Sequence, residues 1–141
     1  VAGTVLCWGA YGPTIHEGQL ALRNPWKAIL CVGVAYFVLA VVIPIIILKV
    51  QGESFHFTPR GTTFASIGGA LGALGAIFIV CALRNGGSPF IVMPLVFGGA
   101  PLVNVVVTSL MHPPKEAPSP FLYVGFVVAA AGAGMVLYFK P

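Results

Sequence analysis

Residues 28–48 read AILCVGVAYFVLAVVIPIIIL, 21 consecutive positions without an Asp, Glu, Lys, Arg or His. A helix rises about 1.5 Å per residue, so this run covers about 31 Å, the thickness of a bilayer's hydrocarbon core. Residues 62–83, 89–111 and 121–139 form three more such runs, of 22, 23 and 19 residues. In lipid every backbone N–H and C=O must be satisfied within its own segment, so runs this apolar are helices. The connections between them are too short for a soluble domain. The reading is an all-α integral membrane protein.

Composition agrees. Of 141 residues, 58% are hydrophobic and 7% charged, with a mean hydropathy of +1.00. Soluble domains carry about a quarter charged residues. A soluble domain and a disordered chain are both excluded. The formal charge of +4 is scattered, with no basic cluster for a nucleic acid, so its partner is the lipid headgroup layer. Cys7, Cys31 and Cys81 share no CxxC spacing and read as free, buried thiols acting as small apolar residues. No metal motif, cofactor motif or nucleophile–base pair is visible, so no catalytic residue, metal or cofactor is expected.

Residues 1–15, VAGTVLCWGAYGPTI, are apolar but reach only about 22 Å as a helix. Without a charged n-region or a small-residue cleavage site, they do not read as a signal peptide. The expectation is a first helix whose beginning precedes Val1. The fold expected is then a bundle of five transmembrane helices in a single membrane domain over residues 1–141. Trp26, Lys27, Lys49, Arg84, Tyr138 and Lys140 flank the spans, as interfacial residues do.

An odd number of spans puts Arg23, Lys27, Arg84 and Lys140 on one side and Lys49, Arg60 and Lys115 on the other. That difference selects no orientation. Either residues before Val1 decide the topology, or copies insert both ways and pair antiparallel, making an inverted repeat from one gene.

Close backbone approach holds helices together in lipid. Gly61, Ala65, Gly69 and Ala73 recur every four residues, beside a second stripe of Gly68, Gly72 and Ala76. Gly125, Ala129 and Ala133 repeat the device near the C-terminus. These read as helix-packing positions. The run 89–111 instead carries Pro94, Pro101, Gly98–Gly99 and Asn104. Internal prolines free backbone carbonyls, and such helices line cavities in transporters or kink for packing. Trp8 and Tyr11 share a face by spacing. They read as cavity walls or as interfacial anchors. His16 and Glu17 follow Gly12–Pro13, at the expected water boundary, as a coupling or gating pair. No ionisable group lies at evident membrane depth, where proton relays place theirs.

The stretch LCWGAYGP (6–13) resembles the Trp-Gly signature that opens an EamA-like repeat of the drug/metabolite transporter superfamily. ALRNGGSPFIVMPLVFGGAPLVNVVVTSL (82–110) is similar to that family's junction into a helix with a mid-span proline. KEAPSPFLYVGFVVAAAGAGMVLY (115–138) resembles its last segment, where a Glu and a Pro-containing turn lead into a Gly/Ala-rich helix. The resemblance covers essentially the whole chain and corresponds to one five-helix half of a ten-helix member.

It implies a carrier of small organic metabolites or drug-like solutes that alternates access between two inverted repeats. It also implies a homodimer or a second five-helix repeat as partner. Trp8, Tyr11, Pro94, Pro101 and Asn104 would line the cavity. The related small multidrug resistance proteins couple through a membrane-embedded Glu in the first helix. Glu17 lies past Pro13, so the resemblance leaves a uniporter, an exchanger or a deeper Glu17 open. The competing expectation is a non-catalytic subunit that stabilises a larger membrane complex, and a third is a fragment of a ten-helix protein. With no targeting segment in view, the expected location is a prokaryotic cytoplasmic membrane.

Overall fold

The computed structural model describes residues 1–114 and 118–139; Lys115 and Lys140, both counted in the orientation argument, lie outside them. Every described element is helical: α1 (Ala2–Leu22), α2 (Pro25–Phe37), a π-helical turn (Val38–Val42), α3 (Ile43–Gln51), α4 (Pro59–Arg84), α5 (Pro89–Met111) and α6 (Pro120–Tyr138). α2, the π turn and α3 form one span, Pro25–Gln51. Pro44 explains the wide turn. It lacks an N–H and its ring crowds the carbonyl of Ala40, so the ladder loosens over that turn rather than breaking.

Among the described residues, four helices are long and apolar enough to cross a membrane: Pro25–Gln51, Pro59–Arg84, Pro89–Met111 and Pro120–Tyr138. Val34, Leu39, Ile46, Phe78, Val103 and Val127 are all exposed along them. A soluble monomer does not display apolar surface on this scale, so these faces meet lipid or other membrane helices. The chain is an integral membrane protein.

The first helix differs from expectation. α1 does not stop near Ile15 but runs through Pro13 to Leu22, so His16 and Glu17 lie inside it. Loss of apolar character ends a hydrophobic run without ending a helix, and an internal proline removes only one backbone bond. α1 has the length to span, with 21 residues, but His16, Glu17 and Gln19 dilute it and it is not one of the four apolar helices.

Each of those four helices begins at a proline after a short polar residue: Asn24–Pro25, Thr58–Pro59, Ser88–Pro89 and Ser119–Pro120. Proline suits the first helical position, where its missing N–H is not needed, and Asn, Ser and Thr accept from the free amides that follow. Asn24 Oδ1 accepts from the Trp26 and Lys27 amides at 2.9 and 3.4 Å. Thr58 Oγ1 accepts from Gly61 at 3.3 Å, and Ser88 Oγ from Phe90 at 3.2 Å. These caps move the second and third spans' starts from 28 and 62 back to Pro25 and Pro59. The Pro25–Gln51 span ends at Gly52, whose φ of 68° closes a Schellman turn: Gly52 N–H to Lys49 O and Glu53 N–H to Leu48 O. Asn24→Ala is expected to cost about 1 kcal/mol. A thermal unfolding series in detergent checks it, with Asn24→Asp close to wild type.

Residues 1–141 read as one membrane domain, and their contacts divide into two compact units, Val1–Gly12 with Gly87–Pro141, and Pro13–Gly86. In the second unit α2 packs on α4. Ala28, Ala76, Ile79, Val80 and Leu83 are buried, and Val80 completely so. On α4 these four follow 3–4 residue spacing, one helical face. Only Ala76 of the α4 small-residue stripes joins this core. Ala65, Gly68, Gly69, Gly72 and Ala73 are exposed, and a Cβ on Gly68, Gly69 or Gly72 would meet nothing within 4 Å. Gly61 sits at the cap, where a Cβ would come within 2.9 Å of Thr58 Oγ1.

In the first unit α5 and α6 pack as an antiparallel hairpin. A Cβ on Gly98 would stand 3.0 Å from Ala133 Cβ and 3.7 Å from Ala129 O. That is the close approach that stabilises helix pairs in lipid, where apolar contact alone gives no preference for a neighbouring helix. Gly125 is exposed, with nothing near it.

Candidate functional site

The N-terminal half of α1 and α5 meet inside the first unit. Gly12 is buried against Met93, itself 5% exposed, and a Cβ on Gly12 would overlap Met93 Cγ and lie 2.5 Å from its Sδ. One turn back on α1, and one turn on along α5, the helices part around a groove of ≈ 460 Å³. Thr4, Val5, Trp8, Gly9 and Phe97 line it. The helices therefore run antiparallel here, and the Gly12–Met93 contact marks where the groove begins.

The groove is walled by aromatic and aliphatic groups. Tyr11 backs Trp8 with ring centroids 5.6 Å apart and planes tilted by 55°. Thr4 and Trp8 are among its lining residues, and the surface they present to it is almost wholly apolar. Gly9 has no side chain to fill the space beside Trp8. The volume falls within the range that holds small-molecule ligands, and the lining favours an apolar or aromatic body over a charged one.

Pro94, Pro101 and Asn104 share the face of α5 that carries Phe97, by spacings of three and four residues. All three are exposed, and none lines the groove. α5 continues through both prolines without a break. Phe97 is the α5 residue that the structure brings to Trp8, and it was not singled out from the sequence. Its signal was available, since it lies midway between two prolines on their own stripe.

The C-terminal half of α1, in the second unit, buries Ile15 and Gln19 and half-buries His16. Glu17 is exposed, so the structure separates the two members of the expected coupling pair on different faces of the helix. Gln19 is 8% exposed, and among the described residues its Nε2 has no hydrogen-bond partner; neither does His16 Nδ1, one turn earlier. Gln19 was missed because it follows the apolar run. Its position three residues past His16 was the legible sign.

A buried, unmet amide is destabilising by about 1–3 kcal/mol, whereas an apolar side chain of similar shape is tolerated. Gln19→Leu is therefore expected to match or exceed wild type in thermal stability in detergent. A loss above about 1 kcal/mol would mean that the amide makes a stabilising bond.

Cys7 and Cys31 are exposed and Cys81 is half-buried, all as free thiols, so only Cys81 approaches the burial expected of the three. The chain matches no protein-family model, no curated protein and no solved structure.

Proposed function

We propose that this chain is one EamA-like repeat, a five-helix unit in which α1 completes the four apolar spans, of a membrane transporter for small organic solutes. It works as a dimer of repeats by alternating access. The observation that carries the reading is the Trp8–Phe97 groove, an aromatic-walled space beside a helix with two internal prolines. The unpartnered Gly/Ala surface on the first half of α4 supports assembly with a second copy, antiparallel if copies insert in both orientations. Tyr11 supports the Trp8 wall from behind. Pro94, Pro101 and Asn104 complete the pathway in the dimer, and His16 with Gln19 offers a polar face for coupling or gating.

The same α4 surface favours a second reading, an accessory subunit that stabilises a larger membrane complex. Solute uptake by proteoliposomes containing only this protein separates them. A transporter gives saturable uptake that depends on Trp8. An accessory subunit gives none, and Gly68→Leu or Gly72→Leu then disturbs assembly alone.

A further inference from the structure

The Trp8 groove stands at the depth of lipid acyl chains. Phe97 lies about 12 Å from the start of α5 at Pro89 and about 21 Å from its end at Met111. It is therefore near the middle of a span about as long as the hydrocarbon core is thick. We propose that the groove is open to that core and binds an uncharged, hydrocarbon-bodied ring compound there, in competition with a lipid acyl chain. The inference rests on the groove being the solute site of the transporter, and it narrows the substrates to lipophilic ones.

The wall decides what is refused. Thr4, Val5, Trp8, Gly9 and Phe97 bring no charged side chain, and the surface they present is almost wholly apolar. A carboxylate or ammonium carried to that depth would leave water and gain no counter-ion from this wall. Val5 and Phe97 are exposed, so the groove is a half-open trough rather than a closed pocket. An acyl chain can lie along such a trough.

The same wall decides what is preferred. Lipid tails satisfy an apolar body as well as protein does, so escape from water gives the groove no advantage over the bilayer around it. Its advantage is shape. Trp8 and Phe97 present rings, against which another ring packs with a specific geometry. The displaced chain regains the rotamer freedom it loses when held along a wall. Gly9 leaves the room: a Cβ there meets nothing within 4 Å. The same is true of Gly3, which lies outside the groove lining.

Trp26→Phe leaves Trp8 as the sole tryptophan of the chain's two, a reporter inside the groove. The full chain carrying that change is placed in nanodiscs of phosphatidylcholine brominated either midway along the acyl chains or close to the headgroup. Trp8 fluorescence is expected to be quenched more by the deep bromines. Cyclohexylbenzene should relieve this quenching saturably, and 4-cyclohexylbenzoate, compared at equal amounts per lipid, at least tenfold less effectively. Gly9→Leu fills the trough with a residue that favours a helix more than glycine does, and should abolish the relief. Gly3→Leu should keep it. Stronger quenching by the shallow bromines overturns the proposal, as does equal relief by the carboxylate or undiminished relief in Gly9→Leu. Proteoliposome uptake keeps the two readings apart. Saturable relief without uptake of cyclohexylbenzene leaves this inference standing and removes the transporter. Trp8-dependent uptake of 4-cyclohexylbenzoate as fast as that of cyclohexylbenzene keeps the transporter and overturns the inference.

Discussion

Gly12→Val is expected to destabilise the fold by about 1–3 kcal/mol, because a side chain at Gly12 must displace Met93 where α1 and α5 meet. The first added carbon overlaps Met93 Cγ, and Met93 is buried. Inserting carbons into a packed interface is destabilising by about 1–3 kcal/mol when neighbours can shift, and valine adds three. In lipid the loss is felt directly, because helix association there rests on close packing rather than on escape from water. The check is a double-mutant comparison in detergent or bicelles. Met93→Ala should restore stability to Gly12→Val, with a favourable coupling of about 1 kcal/mol or more between two residues in contact. If Gly12→Val is as stable as wild type, α1 is not held at this contact.

The second large effect concerns Trp8. Trp8→Ala removes one aromatic wall of the groove and the ring against which Tyr11 stacks. Aromatic contacts bring about 0.5–1.5 kcal/mol beyond the area they bury, and truncation loses both terms for a bound solute. Uptake of the best-transported compound in a panel of aromatic and aliphatic solutes is expected to fall at least tenfold, about 1.4 kcal/mol. Trp8→Phe should keep most of it. Expression and oligomeric state should stay as in wild type, because Trp8 borders open space rather than the Gly12–Met93 contact. Unchanged uptake in Trp8→Ala would remove the groove from the transport path.

The apolar spans were legible from side chains alone, and their true starts nearly so. A short polar residue followed by proline occurs at 24–25, 58–59, 88–89 and 119–120, and each pair sets a helix start. Hydropathy hides this signal, because it scores Pro25, Trp26 and Lys27 as flank when they form the first turn of the helix. The same bias cut α1 short at Ile15. Polar side chains weaken a hydrophobic run, yet His16, Glu17 and Gln19 break no backbone hydrogen bond, and the helix stops at Leu22, where Arg23 turns left-handed with φ 50° and Pro25 then holds Asn24 extended at φ −158°.

The site residues were half legible. Trp8 and Tyr11 were singled out by type and spacing; Trp8 lines the groove, and Tyr11 contacts the Trp8 ring without lining it. Asn104 was singled out as a rare polar group in an apolar run, but polarity carries no direction, and its face of α5 is exposed. Phe97 looked like any other apolar residue of the span. It acquires a role only because the Gly12–Met93 contact sets the register of α5 against α1.

By itself, then, the sequence determined that this is a helical membrane protein, because a bilayer leaves the backbone one local solution and 7% charge leaves no other solvent. It also determined where glycine and alanine allow close approach. Which of those positions are used was decided by tertiary structure alone. Gly12 and Gly98 are pressed by neighbours while Gly68, Gly69 and Gly72 face open space. A missing side chain permits contact on every face where it occurs, and only the register of one helix on another determines which permission is taken up.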